Sequence, residues 1–204
     1  MSPEFSELIV YACPTGPLAE QIDSFFARSL QQFGPNTAHR YMPHCTLTGF
    51  FHDRPASIPV YVDALDAALN ATRSSMPQPP LQITAMVLSD MFKYLKVESD
   101  WMIDTIRDFA GRVHSPTRSD DLRLKSWLHL SLAYDHAPEH EMLLNDLARR
   151  CIDPAAQADW DLRFYERFPT DQWTLHASWK IATTQASQFS NAKHASPSSE
   201  GGKN

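Results

Sequence analysis

Several features that would narrow the function at once are missing from this chain. It has no paired cysteine pattern: Cys13, Cys45 and Cys151 are an odd set without framework spacing, which fits a reducing compartment and argues against a disulfide-stapled secreted domain. It has no surplus of positive charge. With 18 Lys and Arg against 24 Asp and Glu, the formal net charge is -6 and the pI is near 5.8, which excludes the broad basic surface that holds long duplex nucleic acid by its phosphates. A nucleic-acid ligand is therefore expected to be a small nucleotide or an RNA end. The first apolar run, Leu8 to Ala12, follows an acidic flank and is too short for a signal peptide or a membrane span. A cytoplasmic protein with no membrane partner is expected. No fixed-period repeat is visible, and nothing in the sequence indicates an oligomeric state.

What is present is enough for a real core: 204 residues at 43% hydrophobic and 11% aromatic suit one sizeable domain or two packed lobes. The reading places a single domain over residues 1–182. Residues 183–204 turn rich in Ser, Asn and Gly and poor in large apolar side chains, so a disordered tail is expected there.

Along the chain, Leu8 to Ala12 reads as a strand, and Pro17 opens a helix whose Leu18, Ile22, Phe25, Phe26 and Leu30 recur at helical spacing before Gly34. "PHCTLTGF", Pro43 to Phe50, reads as a strand, and Ser57 is placed to cap a helix carrying Val62, Leu65 and Leu69. Leu81 to Asp90 and Phe92 to Ser99 read as a hairpin, followed by a helix from about Asp100. The strand "WLHLSLAY" precedes a helix from Pro138, with Met142, Leu144, Leu147, Ala148 and Cys151 turned inward. "WDLRFYERF" and "QWTLHASWKI" close the chain as a second hairpin. Strands and helices do not alternate strictly, as a doubly wound parallel sheet requires, so the class is α+β with antiparallel sheets.

Two of these strands share an unusual face. Side chains two apart in a strand point the same way, about 6.5 Å from each other. In "PHCTLTGF" this puts His44, Thr46 and Thr48 together and Cys45 and Leu47 behind them. In "WLHLSLAY" it pairs His129 with Ser131 in front of Leu128, Leu130 and Leu132. One His-x-hydroxyl strand is weak evidence; one in each half of the chain is a constellation. Its chemistry is phosphoryl transfer, in which one imidazole removes a proton from the attacking oxygen and the other returns one to the leaving oxygen, near the pH at which histidine ordinarily titrates. Thr46 and Ser131 would donate hydrogen bonds to the phosphate oxygens. Two histidines suffice for this without a metal, and no cofactor is expected. Which is acid and which is base does not follow from the sequence.

His44-Cys45-Thr46-Leu47 and His129-Leu130-Ser131-Leu132 resemble the paired H-x-[ST] motifs of the 2H phosphoesterases, the two-histidine superfamily that includes cyclic phosphodiesterases and LigT-like RNA 2′-5′ ligase proteins. The resemblance runs from about Leu8 to Ile181. It implies a bilobal α+β LigT-like fold, with two antiparallel sheets facing a central cleft, helices outside and one motif on each lobe. It also implies hydrolysis of a 2′,3′-cyclic phosphate or related cyclic phosphodiester at those four residues. 2′-5′ phosphodiesterase or RNA ligase activity is the nearest alternative within the family.

Other residues are candidates for substrate contact. Phe51, Tyr94, Trp127 and Tyr134 adjoin the motif strands or the preceding hairpin and could stack a base. His176 shares a strand face with Thr174 and Ser178. Arg123 and Lys125, in the mixed-charge stretch before the second motif, could reach a phosphate at the cleft rim. His136 and His140 are four apart but interrupted by Pro138, and read as a solvated helix entrance and not a metal pair; His52 reads as a loop residue. Two bland readings stand beside the enzyme: a nucleotide-binding or sensing module that does not turn over its ligand, and a coincidence of two structural histidine strands.

Overall fold

The structure is a computed structural model that describes residues 4–75 and 78–182; the expected tail at 183–204 lies outside the described residues. Its strands are β1 (Ser6–Thr15), β2 (Cys45–Thr46), β3 (Phe51–Asp53), β4 (Gln82–Leu88), β5 (Phe92–Glu98), β6 (Leu128–Tyr134), β7 (Asp159–Arg167) and β8 (Trp173–Ala182). Its helices are α1 (Pro17–Phe33), α2 (Ile58–Ser75), α3 (Asp100–Arg112) and α4 (Glu141–Cys151). The class is α+β, and every strand pair is antiparallel.

Local chemistry sets the helix ends. Pro17 starts α1, where its missing N–H costs nothing. Gly34, at φ 79°, ends it in a left-handed conformation that suits glycine, with its N–H bonded to the Leu30 carbonyl. Ser99 caps α3 by accepting the Met102 N–H. Ser57 does not cap α2: it closes a short helical turn before it, and its hydroxyl meets Thr117 at 3.0 Å. Met142 does not face inward either. It is 78% exposed, whereas Leu144 and Leu147 are buried.

The sheet runs β4-β5-β6-β2-β1-β7-β8, with β3 alongside β1. The resemblance implied two facing sheets, but the backbone hydrogen bonds form one continuous sheet, because the two-residue β2 pairs with β1 on one side and with β6 on the other. The two lobes are the two wings of that sheet, joined at its narrowest strand.

The two faces of the sheet divide the labour. Leu8, Val10 and Ala12 of β1 point into one large core, together with Cys45, Leu130 and apolar residues from all four helices. Each fully buried Leu there contributes about 1.5–3 kcal/mol relative to exposure. Ile9, Tyr11 and Cys13 point the other way and pack with Tyr165, Met42, Phe50 and Trp173 in a smaller cluster. The cleft opens on this second face, where Ile9, Tyr11, Met42 and Phe50 line it.

Candidate active site

The site begins with one backbone pairing. Cys45 of β2 lies directly opposite Leu130 of β6 in an antiparallel register. These are the central residues of the two motifs, and both are fully buried in the helix-side core. Their neighbours must therefore point to the other face. Continuing the register sets His44 opposite Ser131 and Thr46 opposite His129. Directly opposed residues have Cβ atoms about 4.5–5.5 Å apart, so each histidine stands beside the hydroxyl of the other motif. The motifs do not face each other across separate sheets, as the resemblance implied; they are cross-strand neighbours on the floor of one cleft.

That cleft has a volume of about 550 Å³, and His44, Thr46, His129 and Ser131 all line it, together with Tyr11, Tyr41, Phe50, Phe92, Tyr134, Gly49, Arg123 and Lys125 among others. The volume lies within the range of small-molecule sites. A short helical turn, Thr37–Arg40, is tied to the end of β6 by the Thr37 hydroxyl donating to Asp135 at 2.8 Å. It carries Tyr41 and Met42 to the cleft edge.

The two imidazoles are held differently. Nδ1 of His44 lies 2.7 Å from the Met42 carbonyl. A carbonyl only accepts, so Nδ1 carries the proton and Nε2 of the neutral ring is left with a free lone pair. Tyr11 packs against the ring at 3.9 Å and Tyr41 at 5.6 Å between centroids. His129 has no such tether: its Nδ1 is buried without a hydrogen-bond partner among the described residues. Trp127 stacks on it at 4.1 Å and 23°, while Phe92 and Tyr94 stand edge-on at 5.3 and 5.7 Å.

Burial pushes both rings down from 6.5 to about 4. For His44 the neighbouring His129 adds to the effect, while the bond to Met42 opposes it; for His129 the Lys125 ammonium adds to it. Burial thus favours the neutral form of both at pH 7. A bound phosphate anion supplies the opposite charge that raises them again.

The other candidates scatter. Tyr134 lines the cleft, and burial raises its hydroxyl to about 12. Trp127, 48% exposed, sits just outside, behind His129. Tyr94 pairs with Ser131 across β5 and β6 and touches Trp127. Phe51 does not reach the cleft; it is fully buried on the helix side, against Tyr61 at 5.0 Å. Phe51 shares the core face with Cys45 and Leu47, and it is Phe50 that faces the site. His176 is also away from it. It lies on the edge strand β8, three strands from β2, and bonds Glu166 at 3.0 Å.

Thr48, the third member of the polar face, is buried. Its hydroxyl accepts the Val10 N–H at 3.1 Å, pinning a bulge: Thr46 and Phe51 lie opposite Tyr11 and Leu8, so the four residues between them accompany only two of β1. His52 pairs with Asp120 at 2.5 Å, His136 with Lys93, and His140 packs on Phe33. Among the described residues, no group of three or more His, Cys, Asp or Glu is placed to hold a metal ion, and no helix is long and apolar enough to cross a membrane.

Sequence reasoning missed Tyr11, Tyr41, Phe50 and Phe92. Tyr11 sits in a run apolar on both faces, so alternation gives no sign of which face meets the cleft. Tyr41 arrives from a loop.

The paired motifs, their strands and their shared cleft agree. The chain resembles the 2H phosphoesterases. No family model matches it. Among curated proteins, ubiquitin-associated and SH3 domain-containing protein B of Homo sapiens is 33% identical over 168 residues, covering 79% of this chain and 25% of that protein. The A protein of Mus musculus is 31% identical over 166 residues, covering 79% and 26%. The ecdysteroid-phosphate phosphatase of Drosophila melanogaster is 29% identical over 203 residues, covering 80% and 26%. The chain spans about a quarter of the length of these relatives. Among solved structures, E. coli LigT complexed with 3'-AMP aligns at 17% identity with a TM-score of 0.45, covering 90% of this chain and 100% of that one.

Proposed function

We propose that the cleft hydrolyses a cyclic phosphodiester on a small nucleotide or an RNA end by paired-histidine acid/base catalysis, with no metal required. The observation that carries this is the Cys45–Leu130 pairing, which sets each histidine beside the other motif's hydroxyl on the cleft floor.

The tethered tautomer gives the two rings different work. His44, with its proton committed to Met42, presents Nε2 as the base that takes a proton from water as the water oxygen attacks phosphorus. His129, as imidazolium once the substrate anion has raised it, gives its proton to the ribose oxygen as the P–O bond to that oxygen breaks. Thr46 and Ser131 donate to the non-bridging oxygens as negative charge builds on them. The product is a phosphate monoester; His44 then releases to solvent the proton it took from water, and His129 takes up a new one, which restores both rings.

The test is turnover of 2′,3′-cyclic AMP by the wild-type chain, by His44→Ala and by His129→Ala, with and without EDTA. Each substitution is expected to lower kcat by about 10²–10⁴-fold, and EDTA to leave the wild type unchanged. Full activity in either variant, or loss of activity in EDTA, overturns the reading. A second reading is a module that binds a nucleotide without turning it over, which burial of both imidazoles, lowering them to about 4, also suits. Binding without product in the same assay would favour it.

A further inference from the structure

The four motif residues leave two cations in the cleft unused. Arg123 and Lys125 both line it, and none of its lining residues is an Asp or Glu, in a chain whose net charge is -6. Elsewhere arginines find carboxylates: Arg40 pairs with Asp171, Arg163 with Asp161 and Arg167 with Glu7. Among the described residues, no salt bridge involves Arg123 or Lys125.

Both are held in place by backbone. The Gly49 N–H donates to the Arg123 carbonyl at 2.7 Å and the Lys125 N–H to the Leu47 carbonyl at 3.0 Å, on either side of the bridge between Thr48 and Leu124. The Arg123 side chain lies across Gly49 so closely that a Cβ there would stand 3.1 Å from its Nε and 3.2 Å from Nη2. Nη2 also donates to the Phe50 carbonyl at 3.2 Å. The bulge that Thr48 pins is therefore a seat for a guanidinium.

A cyclic phosphodiester carries one negative charge and two non-bridging oxygens. Thr46, Ser131 and one imidazolium already match it. Arg123 is seated at Gly49 and Phe50, past the first motif and not within it. We propose that the substrate carries a second phosphate, and that Arg123 and Lys125 bind it and so select among cyclic phosphodiesters. This rests on the functional reading above and names its substrate class more narrowly. A terminal phosphate monoester presents three oxygens to a guanidinium and an ammonium, and an internucleotide diester presents two; both share the same recognition chemistry.

The experiment compares kcat/KM for three substrates: 2′,3′-cyclic AMP, the same nucleotide carrying a 5′-phosphate, and a dinucleotide ending in a 2′,3′-cyclic phosphate. Wild type is expected to favour at least one of the two doubly phosphorylated substrates by about tenfold or more, the value of one charge-assisted contact. Preference for the first identifies a terminal phosphate, and preference for the second an internucleotide one. In Arg123→Ala and in Lys125→Gln the ratio to 2′,3′-cyclic AMP should fall toward one, and Gly49→Ala, which crowds the guanidinium, should lower it part-way. A wild-type ratio near one for both, or a ratio unchanged in both Arg123→Ala and Lys125→Gln, overturns the inference while leaving the hydrolase reading intact. Failure to turn over any of the three overturns the hydrolase reading, and this inference with it.

Discussion

His44 and His129 sit in the same three-residue pattern and share one cleft floor, yet they are built into the molecule in different ways. His44 immediately precedes the two-residue β2, and the loop that delivers it also supplies the Met42 carbonyl that fixes its tautomer. His129 lies within the seven-residue β6, and its Nδ1 is buried without a partner. Strand β6 holds its histidine by regular pairing and aromatic packing; the first motif needs a hydrogen bond because so little strand surrounds it. The pattern alone makes the two motifs look interchangeable. Their surroundings fix the tautomer of one ring and leave the other untethered.

The comparison breaks first at its shared back. Cys45 and Leu130 are the pair that aligns the motifs, and Leu130 is fully buried. Leu130→Ala should destabilise the chain by about 2–5 kcal/mol, read as a drop in the denaturation midpoint with the slope unchanged. A loss well under 1 kcal/mol would mean that this contact does not hold the two wings together. The hydroxyls sharpen it next. Thr46→Ala and Ser131→Ala should each lower kcat by about 10–100-fold, at or below the cost of a lost oxyanion donor, with little change in stability because both side chains face the cleft. If only one of the two matters, the phosphate lies over one motif and not between them.

Much of this was legible because strand alternation is a strong signal where one face is apolar. Cys45 behind His44 and Thr46, and Leu130 behind His129 and Ser131, assign both polar faces correctly to the cleft. Past Leu47 the rule fails, since Thr48 is buried and Gly49 lines the cleft, and nearness in sequence to a motif is the wrong guide for Phe51. Register between distant strands was not legible. A two-residue strand pairing with β6 leaves no local trace, so the motifs could be read as partners but not as direct neighbours in one sheet. His176 shows the same limit: its strand face looked suitable, but the sheet order sets it at the edge. Arg123 and Lys125 are legible as candidates for the cleft rim, but what holds them is not, because their anchor is a bulge pinned by Thr48, whose role only tertiary contacts reveal.

The most direct measurement is a pH titration of the histidine ring signals by NMR, in the empty chain and with inorganic phosphate bound. The account predicts that His44 and His129 titrate well below the ordinary value of 6.5 when the cleft is empty, since burial disfavours the imidazolium and both rings stay neutral until the pH falls toward their lowered values. His44 should show the Nδ1–H tautomer, and both rings should move upward with phosphate as the anion favours the protonated form. Two rings that titrate near 6.5 and do not respond to phosphate would contradict the claim that this pair forms a phosphate-binding acid/base site.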